Sequence, residues 1–334
     1  MNKSRCPTWH LKRPRRAKPF GLRQRGLALV TAMLIVAIVA ALAASLSLGQ
    51  QVWLRQAQNI NDRAQADKVS QAALQWAKLI LLEDAKKNPT IDDLTENWAK
   101  PLPPISVEGG AMTGRIRDAQ GRFNLNSLLR SGNPSTPDIN VYRRLLQSLS
   151  LNDSLLIDSL LDWIDADADA KPAGAEDTYY LTLQPPYRAA NQRLESVEEL
   201  RLVKGYDAKT VELLRPYVSA LPEPTAVNIN TADARVLSAL FAQLPQSTAQ
   251  QLVEQRDKTP FKDNNDLIQR AGMTPEAGVS YGVTSAYFYV YIDTLFGRLQ
   301  HSRQVLVHRV AGQGIDTLWQ VDVLGPPPAE TGTP

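Results

Sequence analysis

The sequence predicts an α+β fold in which a long N-terminal membrane-spanning helix packs on an antiparallel sheet, and a large inserted all-α domain interrupts that sheet. Three observations carry this. No charged residue occurs from Leu27 to Leu54. Alternating segments rich in β-branched and aromatic residues flank the middle of the chain, at 105–118 and 285–323. Between them, from about Phe123 to Val283, the pattern is helical and loop-rich.

Residues 27–48 rise about 33 Å as a helix, enough to cross a hydrocarbon core of about 30 Å. The preceding Met1–Gly26 holds nine Lys/Arg and no Asp or Glu. The positive-inside rule therefore keeps it in the cytoplasm and sends the rest of the chain across the membrane once. A secretory signal would place its cleavage site after the apolar run. Here the candidate cut, between Gly26 and Leu27, precedes it, as in the type IV prepilin signals that it resembles. An uncut signal-anchor helix is the alternative.

Helical character continues without Gly or Pro through 50–87, with Ile60, Ala64, Val69, Ala73, Leu74, Ala77 and Leu81 at helical spacing. One helix from about Leu27 to Lys86 is expected, ended by Asn88-Pro89. After the proline-rich connector 100–104 come strands Ile105–Glu108 and Ala111–Asp118. Strands Ser285–Asp293, Gln304–Val310 and Thr317–Val323 close the fold, and PPPAETGTP reads as a disordered tail. The expected boundaries are leader 1–26, membrane part 27–50, first periplasmic part 51–122, helical insertion 123–283, last strands 284–325 and tail 326–334.

Composition excludes several function classes. Of 334 residues 43% are hydrophobic, and the net charge of +3 comes from the leader. Nine of the 37 Lys/Arg lie there, so the rest of the chain has 28 against 34 acids, a net of −6. Such a body has no broad attraction for nucleic acid. The single cysteine, Cys6, is in the leader, and His301 and His308 fall on strands. No Ser/His/Asp arrangement or thiolate is available for nucleophilic catalysis, so an interaction protein is expected rather than an enzyme.

The acidic loop is the candidate site. Asp165, Asp167, Asp169, Glu176 and Asp177 follow a leucine-rich helix, with Asp162 one turn earlier. Acids at a helix C-terminus oppose the macrodipole, and together they repel unless a cation sits among them. Hard oxygen ligands at flexible spacing favour a structural Ca²⁺ over Mg²⁺. Ala170 stands where an EF-hand turn needs Gly, and Pro172 lies inside the loop, so a true EF-hand is rejected. A solvated acidic turn and a phosphoryl-transfer D-x-D are the other readings; the latter belongs at a strand end.

Residues 195–221 and 228–272 each suggest a capped helix, a turn and a second helix, with Ser196 and Glu199 as a capping box and Thr231 opening the second unit. The second resembles helix-hairpin-helix units of DNA receptors. Its turn, Leu244-Pro245-Gln246-Ser247, has no glycine and one amide removed by proline. An inner-membrane-anchored periplasmic DNA-uptake protein is thus the rival function, and a packing scaffold the better account of the repeats.

Strings in order along the chain bring a family into view: 121–126 GRFNLN, 162–167 DWIDAD with 174–177 GAED and Tyr179, Pro186-Tyr187, 199–201 ELR, and 228–232 NINTA. From Arg25 to about Val323 the chain resembles type II secretion system protein K, a large minor pseudopilin. The resemblance implies a pilin-like fold at the tip of a periplasmic pseudopilus, helping to initiate assembly and export of folded proteins. It implies partnership with minor pseudopilins I and J and other pseudopilins, cleavage and methylation by prepilin peptidase in the inner membrane, and contact with the outer-membrane secretin or secreted substrates. It also implies the calcium loop; nucleic acid is not expected. Most pilins carry Glu at mature position five, where this chain has Thr31. A buried carboxylate needs a paired cation, and a tip subunit has no neighbour ahead to supply one.

Overall fold

The structure, a computed structural model, describes residues 23–310 and 312–323. Residues 1–22 of the predicted leader and the predicted tail 326–334 lie outside the described residues. The chain divides into two units, one ending at Asn61 and one starting at Asp62.

Helix α1 runs Arg23–Lys87, with Lys86 and Lys87 complementing the dipole in its last turn. In the first unit its side chains from Leu27 to Leu54 are exposed on every face, including Leu34, Ile38, Leu42 and Leu46. An 18-residue window of this helix has a mean hydropathy of 2.8, and the helix is long and apolar enough to cross a membrane. The Thr31 hydroxyl donates back to the carbonyls of Leu27 and Ala28, at 3.1 and 3.0 Å. Its polarity is thereby met within the helix.

In the second unit α1 lies against one face of a five-stranded antiparallel sheet. The strands, β1 (Leu102–Val107), β2 (Gly110–Asp118), β3 (Tyr287–Phe296), β4 (Leu299–Val310) and β5 (Gly314–Val323), stand in that order. β3 is central and alternates: Phe288, Val290 and Ile292 meet Leu74, Ala77 and Leu81 of α1, while Tyr287, Tyr289 and Tyr291 face the other way. The buried stripe of α1 starts at Ala66; Ala64 and, in the first unit, Ile60 are exposed, contrary to the expected stripe.

β1 and β4 begin earlier than the sequence suggests, and so does β5, at Gly314 rather than Thr317. β1 includes Pro103 and Pro104, which an edge strand tolerates because one side makes no ladder bonds. β4 begins at Leu299 because polar residues 300–303, which read as a loop, pair with β3. Arg303 is held there by Asp67 of α1 and Asp322 of β5, both at 2.9 Å.

Between β2 and β3 lies the helical insertion: α2 (Thr136–Ser148), α3 (Asp153–Ile164), α4 (Asp177–Tyr180), α5 (Ala208–Leu214), α6 (Ala234–Ala239), α7 (Gln246–Lys258) and α8 (Asn264–Ala271). It has its own apolar core, including Tyr142, Leu145, Leu160, Trp163, Leu237 and Phe261. Short paired strands of two residues also occur within it. The expected capping box is absent. Val197–Leu202 is a 3₁₀ helix, and Ser196 makes no side-chain cap. Glu199 instead accepts from the Glu195 amide and from Trp163 Nε1. The second helical repeat opens with α6, which is capped by Asp233 rather than Thr231.

Buried amides and acids tie insertion to sheet. Asp118, at the end of β2, accepts through one oxygen from Ser285 Oγ (2.6 Å), Thr231 Oγ1 (2.6 Å) and Asn228 Nδ2 (2.9 Å). Gln120 takes the Ala286 amide at 2.6 Å, so both chain crossings are pinned at one place. Asn126 bridges Leu194 and Leu221, and Asn230 exchanges two bonds with the Phe261 backbone. Gly121 packs where a Cβ would press on Thr231. Arg309 of β4 joins Asp84 of α1 (3.2 Å) to Asp92 (2.5 Å) and the Ser285 carbonyl (2.6 Å).

Burial, with Glu96 and Asp92 close by, pushes Asp84 up to about 7 against the pull of Arg309. Burial pushes Asp118 up to about 6. A raised carboxyl pKa means the folded chain holds protons that the unfolded chain has lost. The stability this brings is complete below the ordinary carboxylate pKa and disappears as pH rises through 6–7. The full chain in detergent should therefore melt lower at pH 8 than at pH 5.5, and Asp84→Asn should shrink that difference. An unchanged pH slope in Asp84→Asn would refute this origin.

Candidate functional site: an acidic loop with unpartnered oxygens

α3 positions the loop. Asn152 caps its start, accepting from the Leu155 amide, and Leu156, Ile157, Leu160, Leu161 and Ile164 bury its inner face. Asp162 is fully buried on the side that meets the returning loop. Asp165 ends the helix, its amide still bonded to the Leu161 carbonyl. The loop folds back because Asp162 accepts the Lys171 amide (3.0 Å) and Asp158 accepts the Ala173 amide (3.1 Å). Lys204 donates to the Gly174 carbonyl at 2.8 Å and fixes the other side. Gly174 is where the loop passes closest: a Cβ there would strike the Asp162 carboxylate and the Asp158 carbonyl.

The six acids expected to form one site do not act together. Oxygens of Asp165, Asp167 and Glu176 lie within 4.8 Å of one another. Asp162 sits beside them, held by Lys171. Asp169 is exposed, its amide donating to Asp167. Asp177 turns away to Arg188 (2.5 Å) and to the Ala189 amide (3.0 Å).

Glu176 is 3% exposed, yet neither of its carboxylate oxygens has a hydrogen-bond partner, and Asp165 Oδ1 has none either. Burial, then Asp162, Asp165 and Asp167, pushes Glu176 up to about 7. Burial likewise raises Asp165, with Lys171 pulling the other way. Unpartnered buried carboxylate oxygens are costly, and a hard cation satisfies them. Two oxygens on one Ca²⁺ at 2.3–2.6 Å stand at most about 5 Å apart, which the observed spacing meets. Asp167 is exposed and gives the group an opening to solvent. The residues present fit a calcium ion.

A second acidic trio, Asp84, Asp92 and Glu96, meets the same distance test. It is already bonded within the protein: Arg309 takes Asp84 and Asp92, while Glu96 accepts from Asn88, Trp98 and the Asp93 amide. This trio is structural. Asp84 carried a signal in sequence, since it continues the buried stripe three residues after Leu81; Arg309 and Lys171 carried none.

The hairpin suggested as a DNA module consists of α6, α7 and a turn in which Pro245 caps α7 without a side-chain bond. Buried Arg256 of α7 donates to the carbonyls of Ile229 and Ala232, so this cation works inward.

Two family models described as Type II secretion system (T2SS), protein K match residues 121–223 and 227–284. The Type II secretion system protein K of Pseudomonas aeruginosa is 36% identical over 296 residues, covering 85% of this chain and 87% of that protein. That of Aeromonas hydrophila is 31% identical over 323 residues, covering 87% and 98%. Among solved structures, the GspK-GspI-GspJ complex from the enterotoxigenic Escherichia coli type 2 secretion system contains a chain that superposes with a TM-score of 0.71. That chain is 26% identical, and the match covers 81% of this chain and 100% of that one.

Gly174→Ala should force Asp162 and the loop apart and destabilise the full chain by about 1–3 kcal/mol in urea titration. Unchanged stability would show that the loop has room to spare.

Proposed function

We propose a place at the tip of the pseudopilus for this chain, which belongs to the type II secretion system protein K family. Its role is that of a minor pseudopilin, anchored through the apolar part of α1. The leader of nine Lys/Arg supports a cytoplasmic N-terminus, with the sheet and insertion in the periplasm. Cleavage after Gly26 would leave Leu27 as the new, methylated N-terminus. Partners are the minor pseudopilins I and J, as in the complex that contains the similar chain. The task is to initiate assembly and promote export of folded proteins across the outer membrane.

The observation that carries the tip position is the insertion between β2 and β3, locked to the sheet by Asp118, Gln120 and Asn228. A rigid body of that size would obstruct a subunit stacked above it but could cover the end of a filament. Thr31 supports the same reading, since its hydroxyl is satisfied within α1 and asks for no partner amine. The full chain should co-purify with minor pseudopilins I and J and form no filament of its own. Long homopolymers of the purified protein would end the tip assignment.

For the loop, the reading is a structural Ca²⁺ held by Asp165, Asp167 and Glu176. When bound, the ion supplies positive charge to buried oxygens; Asp165 ends α3 and Glu176 begins the next turn, so the pair would fasten the loop to the helix. At ~1 mM calcium and a dissociation constant of about 10⁻⁴ M, binding adds about 1.4 kcal/mol. That is a few degrees of melting temperature for a domain of this size. The full chain stripped of metal should melt lower in chelator than in calcium, and Asp167→Asn and Glu176→Gln should lose most of that difference. Equal melting with and without calcium would reduce the loop to an acidic turn.

A further inference from the structure

Four carboxylates, Asp162, Asp165, Asp167 and Glu176, converge on this loop, and one ammonium group stands among them. Lys171 Nζ lies 2.7 Å from Asp165 Oδ2 and 3.1 Å from Asp162 Oδ1. Its side chain is 24% exposed and sits in the loop between the acids. Its own amide donates to Asp162, so backbone and side chain of one residue serve the same acid. The other cations nearby are engaged elsewhere. Lys204 binds the carbonyls of Ala173 and Gly174, and Arg188 binds Asp177.

The lysine meets only part of the charge. It occupies Asp165 Oδ2 and leaves Asp165 Oδ1 and both oxygens of Glu176 without partners. A divalent cation seated on those oxygens would share the Asp165 carboxylate with the ammonium group. Two cations drawing on one carboxylate in a half-buried site repel, and each weakens the other's hold.

We infer that Lys171 is a built-in counter-ion that competes with the divalent cation for Asp165, and so sets how tightly the loop holds metal. The inference rests on the calcium reading above and adds regulation to it. Lys171 steadies the loop when metal is scarce and keeps the site weak enough to respond to millimolar changes. It is a positioning residue that acts through Asp165.

The test measures calcium affinity by titration calorimetry, and melting in chelator and in saturating calcium, for the full chain in detergent. Lys171→Met should bind calcium about tenfold more tightly, melt lower than wild type in chelator, and match it in saturating calcium. Lys171→Arg, which keeps the charge, should stay near wild-type affinity. Weaker or equal binding by Lys171→Met overturns the inference while leaving the calcium site standing. So does an equal loss of melting temperature in both buffers, which would make Lys171 a plain structural residue. If neither wild type nor Lys171→Met binds calcium, the calcium reading falls and this inference falls with it.

Discussion

One buried carboxylate governs how the two halves of the second unit meet. Asp118 closes β2 and gathers Ser285, Thr231 and Asn228 on a single oxygen. Those three partners come from the return to β3 and from the second helical repeat. A charge buried this deeply persists only because it is bonded so fully. The strands on either side of the insertion are neighbours, β2 against β3, so the sheet closes as if the insertion were a hairpin loop. That polar network, with Leu221 packed on the tyrosine face of β3, ties the helices to the sheet.

The two acidic trios show how the same residue types serve opposite ends. Around Asp84, Asp92 and Glu96 the protein supplies Arg309, an indole and three amide donors, and no oxygen of that trio is left buried and unpartnered. Around Asp165, Asp167 and Glu176 it supplies one lysine and the Asp169 amide and leaves three oxygens bare. The first arrangement is complete without a ligand. The second is not, and it lies in a loop that faces solvent through Asp167.

Much of this was legible beforehand. Charge-free residues 27–54 and the alternation in YFYVYI announce the helix and the central strand, and the strings 121–126 and 228–232 carry the family. The reason those strings are what they are was not legible. Asn126, Asn228 and Asn230 bond backbone groups far away in sequence, and Gly121 is small because Thr231 presses on it. Ser196 and Glu199 matched a capping pattern, but Glu199 was claimed by Trp163, a tertiary partner that local spacing cannot reveal. In the loop, the acids were visible as a group, while the turn of Asp177 toward Arg188 and the placement of Lys171 depend on how α4 packs.

Anomalous diffraction from a crystal of the protein grown with calcium tests the central claim most directly. The account predicts one strong peak at the loop, with oxygens of Asp165, Asp167 and Glu176 at about 2.3–2.6 Å. A map without a peak at the loop, or with an ion ringed by other side chains while Glu176 remains unligated, would contradict it.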